Sequence, residues 1–279
     1  DSLRIIGDGL GGFSSNVTTL ARATTYYMRA YATNDVGTAY GHEERFTTDF
    51  ANCGTVTDVE GNVYKTVVIG TQCWMRENLR TKKYADSTSI TYGESFPPSA
   101  TTAYYYYPGS PDNVPTYGLL YNWSAAMKNE GSSDTDPSGV QGVCPHGWHL
   151  PSRTEWNQMS DYVSSQPAYY CDENPGYVAK SLASTTGWLE NADLCAVGNN
   201  LSANNATGLS ILPAGTFNDG HSNFGFMTIL WSATERNGTH GHEFFLASIN
   251  SFLIQSDYGK NIGVQYKYAG FSVRCVRNP

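Results

Sequence analysis

The chain has 279 residues, with 17 basic against 25 acidic side chains and a net charge of −8. That balance excludes a nucleic-acid binder, which needs a clustered basic surface. Charged residues are only 15%, while 20 Tyr, 11 Phe, 6 Trp, 28 Gly and 12 Pro are present, a composition that describes a β-rich extracellular protein rather than a cytosolic helical one.

Residues 1–48 read as strands. Tyr26, Met28, Ala30 and Ala32 share one face at period two. Asn34-Asp35-Val36-Gly37 is a turn, and Tyr40 to Thr47 pairs back as a hairpin. The spacing of Leu20, Thr24 and Tyr26 resembles the tyrosine corner of fibronectin type III modules, with Arg22 where Pro is usual. The resemblance covers only the last strands of such a module, so this segment is expected to be a partial β spacer. A second domain is expected over 49–279.

From Cys53 the character changes. Asp58 to Asn62 is a turn between two strand candidates, the second being Val63 to Ile69. Residues 84–117 are rich in Ser, Thr, Pro and Tyr and predict a long surface excursion containing Tyr104, Tyr105, Tyr106 and Tyr107. Two or three short helices follow. Leu120 to Met127 is the first. Ser152-Arg153-Thr154-Glu155 gives the clearest start signal, a capping box, followed by an inward stripe of Trp156, Met159, Tyr162 and Val163. Pro175 opens the third, Gly176 to Ala183. Strand candidates return at Leu209–Leu212, Phe226–Ser232, His242–Ile249 and Phe271–Arg277. Helices in the middle and strands at both ends predict an α+β fold with the terminal strands in one sheet. The longest apolar runs, such as Ile229-Leu230-Trp231, are far below the ~20 residues of a membrane span. The chain begins at Asp1 without a signal-peptide pattern and reads as a mature or trimmed fragment.

Six cysteines stand at 53, 73, 144, 171, 195 and 275. No Cys-x-x-Cys occurs, and the even count in separate segments favours three disulfides in an oxidising compartment. Their connectivity is open by counting alone.

The blocks Cys53 to Val56, Asp58 to Tyr64, Ile69 to Met75, Glu77-Asn78-Leu79, Gly118 to Trp123, Cys144 to Pro151, Trp231 to Glu235 and Phe271 to Arg277 occur in this order. Together they resemble the Fibrobacter succinogenes major paralogous domain, a family of secreted and surface proteins common in Bacteroidetes, from about Cys53 to Asn278. That family resembles the C-type-lectin-like fold in the variant seen in formylglycine-generating enzymes. Leu150-Pro151-Ser152-Arg153-Thr154-Glu155-Trp156 and Ser272-Val273-Arg274-Cys275 match that variant's helix start and last strand. The resemblance implies an antiparallel sheet with short helices and long loops. It also implies a Cys144–Cys275 bridge. Proximity then pairs Cys53 with Cys73 and Cys171 with Cys195.

The resemblance implies a binding or adhesion module that meets an extracellular glycan or protein through long loops, here 84–117, 128–143, 190–208, 214–225 and 234–242. Tyr104 to Tyr107, Phe217, His221 and Phe224 are the candidate contacts. The competing reading, that the Tyr run covers the domain's own core, is favoured by the area such rings bury. An enzyme of the formylglycine-generating type needs a reactive Cys pair, and a bridged Cys275 leaves no thiolate. No Gly-x-Ser-x-Gly elbow, His-Glu-x-x-His or P-loop occurs. Glu155 is explained by its capping role. Trp231-Ser232-Ala233 and Gln166-Pro167-Ala168 depart from the sugar-calcium motifs of C-type lectins. No cofactor is expected, although a structural calcium on backbone carbonyls and Asn or Asp is compatible with the composition. His240 and His242 alternate on a strand start and share a face, a weak metal signal; His146 and His149 belong to the family block and read as structural. The expectation is a monomer at the outer surface or secreted, possessing no catalytic residues.

Overall fold

Local side-chain chemistry sets the first element. The Asn34 side-chain oxygen accepts hydrogen bonds from the backbone N–H groups of Val36 and Gly37, closing a turn. A computed structural model describes residues 24–48, 50–94, 100–218, 220–251 and 262–279, with residues 12, 14, 17 and 20. The chain divides into two units, Asp1–Phe50 and Ala51–Pro279. In the first, Thr25–Asn34 pairs antiparallel with Gly37–Thr47. The ladder is irregular between the Arg29–Glu43 and Tyr31–Tyr40 pairs, and the extra residue lies on the second strand, where Gly41 and His42 stand opposite Ala30. Thr25–Asn34 itself keeps its period of two, so Tyr26, Met28, Ala30 and Ala32 fall on one face as expected. Arg22, expected at the Pro position of the tyrosine corner, lies outside the described residues.

The second unit is mixed α+β, mostly strands with a few short helices. Asp58 organises its first hairpin. One carboxylate oxygen accepts from the N–H groups of Glu60 and Asn62, and the other from the Asn62 amide and the Tyr64 hydroxyl. A five-stranded sheet is ordered Thr55–Thr57, Val63–Ile69, Gln72–Met75, Val276–Arg277 and Trp148–His149, with antiparallel neighbours throughout. The first and last strands of the unit thus meet in one sheet, as the order of elements predicts. A second sheet is formed by Met227–Asn237, His240–Ala247 and Ile262–Tyr266. Its hairpin turns within two residues, so the long loop expected over 234–242 is absent.

The helix Arg153–Ser164 lies between these sheets. The capping box forms with both bonds present: Glu155 N–H donates to Ser152 Oγ, and Ser152 N–H donates to Glu155 Oε2. Trp156 packs 4.4 Å from Trp74 on one side and stacks 4.6 Å from Phe244 on the other. Trp156, Met159 and Val163 are fully buried, but Tyr162 is 37% exposed and leaves the predicted stripe.

Two helix expectations are corrected in extent. Leu120–Tyr121 is a strand, and the helix is Trp123–Met127, because Asn122 caps it by accepting from Ala125 N–H. All five of its residues are buried. The third helix shrinks to Ala179–Leu182, since the Asn174 side chain accepts from Gly176 N–H and makes a turn where the helix was expected to start. Leu209–Leu212 contributes only an isolated bridge at Ile211, not a strand.

Residues 84–117 are corrected most. Tyr104–Tyr106 is an inner strand, parallel to Thr91–Tyr92 and antiparallel to Leu120–Tyr121. The excursion folds back and supplies core: Tyr105 and Tyr106 are buried. The main core gathers Tyr121, Trp123, Trp231, Phe271 and both Cys144 and Cys275.

Candidate functional site: an aromatic surface built around one strand

Alternation along Tyr104–Tyr106 sends successive rings to opposite faces. The four tyrosines read together in the sequence therefore form two groups.

On the first face, Tyr106 stacks on Phe217 at 3.9 Å between ring centres, with 14° between planes. Two glycines permit this approach. A Cβ on Gly93 would fall 2.2 Å from the Tyr106 ring, and one on Gly270 would fall 2.6 Å from it. Phe217 is paired across the short hairpin Thr216–Phe217/His221–Ser222 with His221, whose ring lies edge-on at 5.0 Å. Tyr104 stands half-buried 6.4 Å from Tyr106. Tyr117, half-buried, packs against the same cluster and meets Phe224 at 4.7 Å. Phe224 is 42% exposed and His221 is also exposed. The stacked pair Tyr106 and Phe217 is thus the floor, and Tyr104, Tyr117, His221 and Phe224 are the rim open to solvent.

The His221 ring has a defined chemical state. Gly109 N–H donates to its Nδ1 at 3.3 Å, so the neutral ring carries its proton on Nε2. Burial lowers the pKa below the usual histidine value and favours that neutral form. His221 therefore offers a hydrogen-bond donor beside aromatic faces. Such a surface can stack the C–H face of a sugar ring or the side chain of a peptide while fixing its orientation by a polar contact.

Tyr105 and Tyr107 turn to the other face. There they meet Tyr92, 5.6 Å from Tyr105 and 4.9 Å from Tyr107. Of the candidate residues, the structure brings Tyr104, Tyr106, Phe217, His221 and Phe224 together and separates Tyr105 and Tyr107 from them. Tyr117 and Tyr92 were not singled out by the sequence. Each reaches its cluster through non-local packing, which leaves no local signal.

The other polar candidates serve the scaffold. His149 Nε2 and Glu155 Oε1 lie 2.6 Å apart, both 2% exposed, and His149 Nδ1 faces Asn278 Oδ1 at 2.7 Å. Glu155 Oε2 accepts from the N–H groups of Ser138 and Ser152. Burial alone would lower the His149 pKa, but the bond to Glu155 and its charge outweigh that and raise it. His146 is exposed, with its Nδ1 3.4 Å from Gln141 Nε2. His240 contacts Thr239 and Asn237 through Nδ1, and His242 is buried. Among the described residues, no three His, Cys, Asp or Glu side chains gather as a metal set. In the loop 190–208, carbonyl oxygens of Ala196, Asn199 and Asn200 converge as they would on a cation, and the Lys180 ammonium sits among them. A side chain thus supplies the positive charge there.

All six cysteines are oxidised, as Cys53–Cys73, Cys144–Cys275 and Cys171–Cys195. The Cys144–Cys275 bridge lies beside the pairing of Val276 with His149 and ties the end of the chain to the approach of the long helix. Three bridges are consistent with an extracellular setting. No helix among the described residues is long and apolar enough to cross a membrane.

No curated protein and no solved structure matches the chain. A family model, that of the Fibrobacter succinogenes major domain, matches residues 67–277, about three quarters of its length. The chain belongs to the Fibrobacter succinogenes major domain family.

Proposed function

We propose that this protein is a non-catalytic recognition module of a secreted or outer-surface protein, binding an extracellular glycan or protein through the rim formed by Tyr104, Tyr117, His221 and Phe224. The observation that carries this reading is the convergence of four rings, from three separate segments, around the buried Tyr106–Phe217 stack. Rings held on a rigid floor lose little side-chain entropy on binding. The resemblance to a C-type-lectin-like fold, in its formylglycine-generating variant, belongs to the same proposal, as does the fibronectin type III likeness of the N-terminal hairpin. Both rest on sequence motifs. What supports a non-catalytic role is the Cys144–Cys275 bridge, which leaves neither sulfur as a nucleophile or metal ligand.

The test is a glycan array and a panel of extracellular proteins, probed with the full chain, with and without a calcium chelator. Binding that survives chelation and falls at least tenfold in Phe224→Ala and His221→Ala supports the reading. Binding unaffected by both substitutions, or oxidation of a Cys-containing sulfatase peptide by the chain, refutes it.

A further inference from the structure

The second face of the Tyr104–Tyr106 strand lies outside the surface proposed above, and its composition differs. Tyr92 is 39% exposed, Tyr107 is half-buried and Tyr105 forms the floor between them. Tyr105 and Tyr107 meet edge to face at 6.0 Å. The exposed Lys82 ammonium stands 5.9 Å from the Tyr105 ring centre and 5.7 Å from that of Tyr107. Three phenol rings and one cation thus share a single patch.

Lys82 holds no carboxylate partner among the described residues. The acid beside this patch, Glu60, is engaged elsewhere. Its Oε2 accepts from the backbone N–H of Lys82 at 2.5 Å and from the Thr81 hydroxyl at 3.0 Å. The carboxylate therefore fixes the main chain at Lys82 and leaves the ammonium directed over the rings. The following residue, Lys83, is also exposed.

We propose that Tyr92, Tyr105, Tyr107 and Lys82 form a second binding site, for a saccharide bearing a carboxylate or sulfate group. The apolar face of one sugar ring lies on Tyr92 and Tyr107, and the anionic substituent reaches the Lys82 ammonium. Three observations favour this occupant. Three rings and one lysine offer far less area than the ~800 Å² each partner contributes to a stable protein interface, so a small ligand fits better than a protein face. Aromatic rings flanking an ammonium complement a ligand that is apolar on one face and anionic at its edge. The chain's net charge of −8 opposes indiscriminate adsorption of polyanions, so capture of one reports a local site.

The test is calorimetric titration of the full chain with three probes: an oligogalacturonide, a sulfated dextran oligosaccharide and a neutral malto-oligosaccharide. The expected result is binding of one or both charged probes, with the neutral one at least tenfold weaker. Which charged probe binds identifies the anionic group. Lys82→Met and Tyr92→Ala should each weaken binding about tenfold or more, the range of one charge-assisted contact. Lys82→Arg should retain it. Lys65→Met, an exposed lysine with no ring contact in this patch, and Phe224→Ala, on the first surface, should leave it unchanged. Failure of the wild-type chain to bind either charged probe would overturn the proposal. So would equal binding of the neutral probe, or binding unchanged by both Lys82→Met and Tyr92→Ala. Loss through Phe224→Ala alone would assign the saccharide to the first surface. Both substituted side chains are exposed, and circular dichroism verifies that the variants fold.

Discussion

Replacing Glu243 by Gln should make the protein's stability less dependent on pH, by a calculable amount. Glu243 lies mid-strand in the second sheet, opposite Trp231 on one side and Gly263 on the other. It is 2% exposed, and its Oε2 has no hydrogen-bond partner. Desolvation raises its pKa from 4.5 to about 8, so the folded protein keeps this carboxyl protonated at neutral pH. The unfolded chain releases that proton above pH 4.5. Folded stability therefore falls as pH rises from about 4.5 towards 8, because the unfolded state gains ionisation that the folded state cannot. At pH 7 the gap spans 2.5 pH units, and at about 1.4 kcal/mol per unit this is about 3 kcal/mol. Glutamine removes the titration but keeps the shape. Its buried amide carries a cost independent of pH, so the diagnostic quantity is a slope rather than a single value. Urea unfolding of both proteins from pH 4 to pH 7 should show the stability of Glu243→Gln rising relative to the parent by about 3 kcal/mol. A difference that stays flat over that range would refute the claim that the carboxyl is held neutral.

Three further outcomes follow from the same geometry. Joint replacement of Cys144 and Cys275 by Ser should cost nearly ~5 kcal/mol by chain entropy for a separation of 131 residues, against ~3 kcal/mol for Cys171 with Cys195 at a separation of 24, both read from denaturant midpoints. His149→Gln should cost about 3 kcal/mol or more by stranding the Glu155 charge. Because the folded His149 pKa is raised, that cost is full below about pH 6.5 and shrinks as pH rises through the folded value; stability curves between pH 5.5 and 9 check it. Gly93→Ala should destabilise by about 1–3 kcal/mol, because a methyl 2.2 Å from the buried Tyr106 ring forces it off Phe217; weakened binding at the Phe224 rim should accompany the loss, and unaltered melting would contradict the stack.

The features legible in the sequence were those set by neighbours along the chain. Ser152 and Glu155 are three residues apart, so their capping box could be read directly. The Asp58 to Asn62 turn is likewise local, and so is the hairpin closed by Asn34. What escaped depended on distant partners. Four consecutive tyrosines show no alternation of type, and Tyr104–Tyr106 becomes a strand only because Thr91–Tyr92 and Leu120–Tyr121 flank it. Asn122 was a readable N-cap, but its signal fell inside an apolar run that extended the helix too early. The candidate rings were recognisable as a type, and aromatics gather on both faces of one strand; which face each occupied was fixed by pleat and pairing. Tyr117 joins Phe224 across more than a hundred residues, a relation that spacing does not encode.

The proposed non-catalytic role depends on one bond, the bridge that holds Cys275 to Cys144. Non-reducing peptide mapping by mass spectrometry of the native protein, alkylated before digestion, tests this directly. It should recover Cys144 linked to Cys275, Cys53 to Cys73 and Cys171 to Cys195, with no alkylated cysteine. Recovery of Cys275 as an alkylated free thiol would contradict it.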